Sequence, residues 1–301
     1  MVNKKSGFVA VVGRPNVGKS TLINALLGQK VAAVSAKPQT TRRNQLGILT
    51  LPEAQLVFTD TPGLHEPRNK LGKWMNEEAL SALEDSDLIL FIADASVAAT
   101  AEDEMLAEAV SARKSKQPVL LVLNKVDRVS GSVIENRRAE YGSLAKAAKV
   151  REISALKGAG VRELLEELLA LTPEGDFYYP EEQVTDLFER QIAADLIREA
   201  ALENLRDEVP HGIAVRIDQF TERGDSGALI EATIFVERES HKGIAIGEAG
   251  KMIKAIGQAA RQEIEAMSGR KVFLELRVKV DKNWRDNEKA LKRFGYSRAK
   301  E

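Results

Sequence analysis

Short apolar runs alternate with amphipathic stretches along the first half of the chain. The runs over 8–12, 56–59, 88–93 and 119–123 have the length and near-continuous hydrophobicity of buried strands, and 153–154 is a weaker run of the same kind. Between them, 19–27, 70–83, 101–113 and 161–171 repeat apolar positions at helical spacing. Strands alternating with helices predict a mostly parallel sheet covered on both faces. The pattern breaks at Thr172, where TPEGDFYYPEEQVTD carries two prolines, a glycine and several acids and reads as a linker. Beyond it the pattern predicts a long helix over 187–206, strands over 213–220 and 229–239, a short helix, a helix ending near 267, a strand over 271–280 and a last helix over 285–294. The expected division is therefore a first α/β domain over 6–173, a linker over 174–186, and a second domain over 187–301 with the order α-β-β-α-α-β-α.

Composition narrows the classes. The 301 residues suit two domains at roughly 150 each, and 44% are hydrophobic, enough for two ordinary cores. There are no cysteines, which excludes a disulfide framework, thiolate metal sites and a cysteine nucleophile, and fits a reducing cytoplasm. With three histidines, a His-rich metal site is not expected. The most apolar stretch, 88–101, is interrupted by Asp94 and is too short to span a bilayer, and the N-terminal apolar run stops at Gly13, as a strand rather than a leader would.

A net charge of −1 conceals an asymmetry: 181–240 carries 6 basic against 15 acidic groups, and 241–301 carries 15 basic against 8 acidic, a local net of +7. A basic end piece is compatible with a polyanion-binding module, although a solvated surface has the same composition.

Residues 13–20 read GRPNVGKS, which fits G-x-x-x-x-G-K-[ST] directly after a strand and before a helix. Such a loop turns its N–H groups inward around phosphates, and the following helix N-terminus adds partial positive charge. Gly13, Arg14, Pro15, Asn16, Val17, Gly18, Lys19, Ser20 and Thr21 are the candidate phosphate contacts, with Lys19 on the β- and γ-phosphates and Ser20 on Mg²⁺. Asn124, Lys125 and Asp127 of NKVD follow the fourth apolar run. The Asp127 carboxylate matches the two adjacent donors of guanine and meets a lone pair on adenine, so this loop selects GTP over ATP. The Lys125 stem can cover the base, and Ser154, Ala155 and Leu156 are placed so that the Ala155 N–H meets guanine O6.

Two further loops suit a switch. Asp60, Thr61, Pro62 and Gly63 close the second strand, so that Asp60 reaches Mg²⁺ through water and Gly63 turns its N–H to the γ-phosphate. The polar stretch AKPQTTRR at 36–43 holds two threonines able to complete the Mg²⁺ shell, of which Thr41 is favoured. Lys19, Thr41 and Gly63 are thus the candidate catalytic groups. Many GTPases place a water-orienting Gln after this glycine; here Leu64 follows, then His65, which predicts slow intrinsic hydrolysis.

In this order, GRPNVGKS, PQTTR, DTPG, NKVD and SA resemble the Era family of GTPases, and Asn16 resembles the phosphate-loop asparagine of relatives that use K⁺. The second domain resembles a type II KH domain through AIGEAGKMI at 245–253. The resemblance covers nearly the whole chain. It implies a P-loop GTPase domain with a mostly parallel sheet followed by an α+β KH domain, GTP, GDP and Mg²⁺ as ligands, and binding to the 3′ end of 16S rRNA during maturation of the 30S subunit. By position it implies an RNA clamp at Gly247, Glu248, Ala249 and Gly250, base contact at Ile246, and phosphate neutralisation by Lys242, Lys251 and Lys254. The expected form is a cytoplasmic monomer. A metabolic P-loop kinase is disfavoured by NKVD and SA. A membrane signalling GTPase is the remaining alternative, because 283–296 sets basic residues beside Trp284, Leu291 and Phe294, as a peripheral membrane helix does.

Overall fold

The computed structural model describes residues 4–35, 37, 40–113, 116–145, 149–187, 189–222 and 227–296. The chain divides into two compact units: Met1–Ala32, Thr41–Pro67 and Met75–Asp186 form one, and Ala33–Thr40, Arg68–Trp74 and Leu187–Glu301 form the other.

The first unit is built on a six-stranded sheet of order β2-β3-β1-β4-β5-β6. Its strands are β1 (Lys5–Val12), β2 (Gln45–Leu51), β3 (Ala54–Asp60), β4 (Leu88–Asp94), β5 (Val119–Asn124) and β6 (Lys149–Glu152). Only β2 runs antiparallel to its neighbour. Side chains alternate across the strands, so each strand feeds two cores. Val9, Val11, Leu56, Phe58, Leu90 and Ile92 pack with helices α1 (Lys19–Leu27) and α5 (Val161–Leu171). Ala10, Val12, Ile89, Phe91, Leu121 and Leu123 pack on the other face with Ala79 and Leu83 of α2 (Lys70–Glu84), α3 (Ala101–Ala112) and α4 (Gly131–Ala145). Being covered on both sides makes the central strands apolar at nearly every position, and all seven residues of β4 are buried.

Three elements depart from the expectation. β2 and β6 are edge strands, and β6, whose sequence is KVRE, alternates half-buried and exposed positions, so neither shows the continuous apolar run of a central strand. The strand expected at 153–154 thus lies just upstream. α4 is largely polar and buries Tyr141 and Ala145. The stretch expected as a linker belongs to the first unit. Both Tyr178 and Tyr179 N–H groups donate to Gln55 Oε1 at 2.9 and 3.0 Å, Gln55 Nε2 donates to the Tyr179 carbonyl at 2.9 Å, and the Ile48 N–H donates to the Val184 carbonyl at 2.9 Å. The buried Gln55 at the sheet margin holds this polar, proline-containing segment down.

The second unit has the expected order: α6 (Glu189–Asn204), β7 (Ala214–Glu222), β8 (Ala228–Val236), α7 (Glu239–Ile246), α8 (Lys251–Ser268), β9 (Val272–Val280) and α9 (Glu288–Arg293). β8 is central, antiparallel to β7 and parallel to β9. Ile192, Leu196 and Ala200 of α6 and Ile256, Ala260 and Ile264 of α8 recur at helical spacing and pack on Ile217, Ile230 and Ile234. The last helix is shorter than expected. Asn287 Oδ1 accepts the N–H groups of Lys289 and Ala290 and starts α9 there. Trp284 is fully buried, its Nε1–H donating to the Gly212 carbonyl at 2.8 Å, and Leu291 and Phe294 are buried too. The apolar side chains that suggested a membrane-facing helix are core residues. Among the described residues, no helix is long and apolar enough to cross a membrane.

Candidate nucleotide site and nucleic-acid interface

The end of β1 delivers the chain into the phosphate loop, which curls through left-handed Asn16 (φ 64°) and Gly18 (φ 102°) into α1. Gly18 is required twice over: a side chain there would be strained at that φ, and its Cβ would lie 2.3 Å from Asn124 Nδ2. Lys19 opens α1, with Thr21 in the same first turn, and the Lys19 ammonium donates to the carbonyls of Gly13 and Arg14 at 3.0 and 3.1 Å across the loop. Burial pushes its pKa down to about 8, against the opposing field of Asp60.

Asp60, at the end of β3, gathers two hydroxyls. Ser20 Oγ donates to Asp60 Oδ2 at 2.7 Å, Thr41 Oγ1 donates to it at 3.0 Å, and the two hydroxyl oxygens are 3.1 Å apart. Gln45 Nε2 adds a bond at 3.3 Å. Asp60 is 1% exposed, its Oδ1 has no hydrogen-bond partner, and burial raises its pKa. A buried carboxylate with an unmatched oxygen beside two hydroxyls is a hard-oxygen donor set of the kind Mg²⁺ uses with phosphates. Among the described residues, no group of three or more His, Cys, Asp or Glu forms a cation site. The other threonine of this stretch, Thr40, bonds the Lys37 carbonyl at 2.9 Å. Ala36, Pro38 and Gln39 of the same stretch lie outside the described residues.

After Asp60, Thr61 Oγ1 donates to the Val11 carbonyl at 2.8 Å and ties the turn to β1. Gly63 lies against the phosphate loop: a Cβ there would fall 2.5 Å from Pro15 N. Leu64 is 3% exposed and packs in the core with Val12, Ala79 and Leu83. Its side chain is thus a core anchor, a role the sequence did not reveal. His65 Nδ1 lies 2.9 Å from the Gly63 carbonyl oxygen.

The base loop follows β5. Asn124 is buried, donates from Nδ2 to the Val17 carbonyl at 2.8 Å and accepts the Ala155 N–H on Oδ1 at 2.9 Å. The Ala155 N–H, expected to meet guanine O6, is directed at Asn124 instead. Lys125 is left-handed (φ 66°), and its ammonium bonds the Asn16 carbonyl at 2.7 Å and Asp94 Oδ2 at 2.5 Å. Asp127 is exposed and accepts Ser154 Oγ–H on Oδ1 at 2.6 Å, a bond that holds its carboxyl below the usual range. Leu156, 70% exposed, sits in the same loop. The sequence reading missed Asp94 and Asp103 behind the phosphate loop; an acid closing the fully apolar β4 was the available signal for the first.

In the second unit, α7 ends at Gly247 (φ 73°), and Ala249 (φ 48°) and Gly250 (φ 75°) turn the chain into α8. A Cβ on Gly247 would stand 2.7 Å from Met252 Cβ. Glu248 and Ala249 are exposed, as are Lys251 and Lys254, with Lys251 3.8 Å from Glu248. Lys242 and Ile246 are half-buried, and Ile246 packs against the core rather than standing free. Beside the loop, Ile253, Lys254, Gly257, Gln258 and Arg261 of α8 and Leu274, Glu275 and Leu276 of β9 line an open groove of about 420 Å³. Arg261 was not anticipated; its spacing of seven from Lys254 was the signal that both share one helix face.

The fold and the site together define a P-loop GTPase joined to a KH domain. Residues 8–125 match the family model described as 50S ribosome-binding GTPase, and residues 208–285 match that of the KH domain. The GTPase Era of Halothermothrix orenii is 47% identical over 97% of this chain and 98% of its own, and that of Ruminiclostridium cellulolyticum is 47% identical over 97% of each. A crystal structure of Era with MgGDPNP and nucleotides 1506–1542 of 16S ribosomal RNA superposes with a TM-score of 0.92, at 42% identity over 98% of this chain and 99% of that one. The chain belongs to the Era family of GTPases.

Proposed function

We propose that this GTPase is a GTP-switched, cytoplasmic RNA-binding factor that binds the 3′ end of 16S rRNA and assists maturation of the 30S subunit. In this reading the GTPase module spans 6–173 together with the packed segment 174–186, and the RNA-binding module spans 187–301. The observation that carries it is the convergence of the phosphate loop, Asp60, Thr41 and the Asn124–Asp127 loop at the carboxyl ends of β1, β3 and β5. The positive-φ GEAG turn beside an open groove that carries Lys254 and Arg261 supports the RNA half. An Era crystal structure with MgGDPNP and 16S rRNA nucleotides, and one of an Aquifex aeolicus Era variant with GDP and AlF₄⁻, show relatives holding these ligand classes.

Ser20, Thr41 and Asp60 would hold Mg²⁺, with Asp60 acting through water, and the ion would supply charge neutralisation to the phosphates. Gly13, Arg14, Pro15, Asn16, Val17, Gly18, Lys19 and Thr21 build the phosphate cradle, with Lys19 bearing the cation and Gly63 presenting its N–H to the γ-phosphate. Asp127 reads guanine, steadied by Ser154, while Asn124 braces the base loop and Lys125, Ala155 and Leu156 frame the base. Asn16 would offer its side-chain oxygen to K⁺. Gly247, Glu248, Ala249 and Gly250 clamp the RNA backbone, with Lys242, Ile246, Lys251 and Lys254 around them.

The test is binding of a labelled 16S rRNA 3′-end oligonucleotide with GDP and with a non-hydrolysable GTP analogue, at two salt concentrations, beside a scrambled RNA. Tighter, sequence-selective binding with the analogue supports a GTP-gated rRNA reader. Equal, salt-sensitive binding to both RNAs overturns the rRNA assignment.

A further inference from the structure

Arg14 lies inside the phosphate loop, yet its guanidinium is committed behind it. Its Nε is 3.3 Å from Asp103 Oδ2 and its terminal nitrogen is 3.9 Å from Asp94 Oδ2. Asp103 is completely buried in the first turn of α3. Its Oδ2 also takes the Thr100 N–H at 3.0 Å, the Thr100 hydroxyl at 2.9 Å and the Tyr141 hydroxyl of α4 at 3.2 Å. A carboxylate buried among so many donors has a fixed position and needs its cation. Stripping the partner from a buried charge costs far more than an exposed pair contributes.

Asp94 extends the same arrangement. It receives Ser96 Oγ–H at 2.6 Å and the Lys125 ammonium at 2.5 Å, and that ammonium also donates to the carbonyl of Asn16. Asn16 is the left-handed residue on which the phosphate loop turns. Two cations therefore hold the loop from outside: Arg14 to α3 through Asp103, which Tyr141 of α4 also bonds, and Lys125 to the base loop and the end of β4. The Arg14 guanidinium is thus paired by charge with two carboxylates, Asp103 and Asp94.

We infer that Arg14 is a positioning residue whose side chain, anchored on Asp103 of α3, to which Tyr141 of α4 is also bonded, sets the Pro15–Asn16 backbone for guanine-nucleotide phosphates without itself contacting them. The inference rests on the nucleotide-site reading above. Its consequence is that α3 and α4, which carry none of the candidate nucleotide residues, tune nucleotide binding through a buried carboxylate.

The experiment is a double-mutant cycle on the full chain, reading the dissociation rate of a fluorescent GDP together with KM and kcat for GTP. Arg14→Gln and Asp103→Asn each speed release by about tenfold, as supporting residues one step removed from a ligand commonly do. The double variant is no faster than either single one, because both remove the same anchor. Arg14→Lys, which keeps the charge and loses the fork, recovers only part of the effect. Tyr141→Phe removes one donor, leaves the buried ion pair, and speeds release two- to threefold, an effect that disappears in Arg14→Gln; it serves if Asp103→Asn fails to fold. Multiplying effects of about a hundredfold in the double variant overturn the inference and make Arg14 a direct phosphate ligand. So does unaltered release in both Asp103→Asn and Tyr141→Phe. Failure of the unaltered protein to retain the labelled GDP counts against the nucleotide-site reading itself.

Discussion

Asn124 Nδ2 donates to the carbonyl of Val17 at 2.8 Å, so one amide side chain ties the base loop to the phosphate loop. Its Oδ1 accepts the Ala155 N–H at 2.9 Å, which draws in the loop after β6 as well. Three segments far apart in sequence are held by a residue that need not touch the ligand. Asn124→Ala leaves a buried carbonyl and a buried N–H without partners, at about 1–3 kcal/mol each. The expected outcome is a drop in GDP affinity of at least tenfold by equilibrium titration, with a lower thermal midpoint even without nucleotide. An unaltered midpoint would show that the bridge does not stabilise the empty protein.

The carboxylate form of Asp127 is the one that can accept the two guanine donors. Ser154 Oγ–H bonds that form and lowers its pKa, and the group is exposed to solvent. Affinity for guanine is therefore complete above the carboxyl pKa and is lost as pH falls through it. Ser154→Ala removes the bond, so the pKa moves up toward the ordinary carboxylate value. The acid limb of GDP binding should then begin at a higher pH in Ser154→Ala than in the unaltered protein. Titrations of the two proteins between about pH 3.5 and pH 6 that overlay exactly at the acid side would remove Ser154 from the reading of guanine.

How much of this was legible in the sequence follows from where each signal resides. Central strands such as β4 are apolar throughout because both faces are covered, and the phosphate and base loops announce themselves because their chemistry tolerates few substitutes. The edge strands β2 and β6 and the polar α4 carry no such pattern, since one side of each meets water or an irregular segment. Asp103 illustrates a deeper limit. An acid three residues after a Thr reads as an ordinary helix cap, which it is. Nothing in the local sequence says that the same oxygen also meets Arg14 from a loop some ninety residues upstream.

Leu64 shows a local inference altered by packing. By position it stands where many GTPases orient water, and a Gln there is the obvious way to accelerate turnover. The side chain is 3% exposed in an apolar cluster, so a Gln in its place buries an amide among Val12, Ala79 and Leu83. That substitution should destabilise the protein by about 1–3 kcal/mol and leave single-turnover GTP hydrolysis no faster. A large acceleration would mean that the segment after Gly63 leaves its core position during the reaction.

The two cations in the groove beside the GEAG turn make a prediction about salt rather than about affinity alone. Lys254 and Arg261 are seven residues apart on α8 and line one side of the groove, with Leu274 and Leu276 opposite. Each cation that neutralises an RNA phosphate releases condensed counterions, so the logarithm of the binding constant falls linearly with the logarithm of salt, by about 0.7 per contact for a single strand. Lys254→Ala and Arg261→Ala should each weaken binding of a single-stranded 16S rRNA 3′-end oligonucleotide and flatten that slope by about 0.7. Leu276→Ala, which removes only apolar surface, should weaken binding with the slope unaltered. If the lysine and arginine variants lose affinity at constant slope, these side chains act by hydrogen bonding to bases, and the backbone charge is met elsewhere on the basic end of the chain.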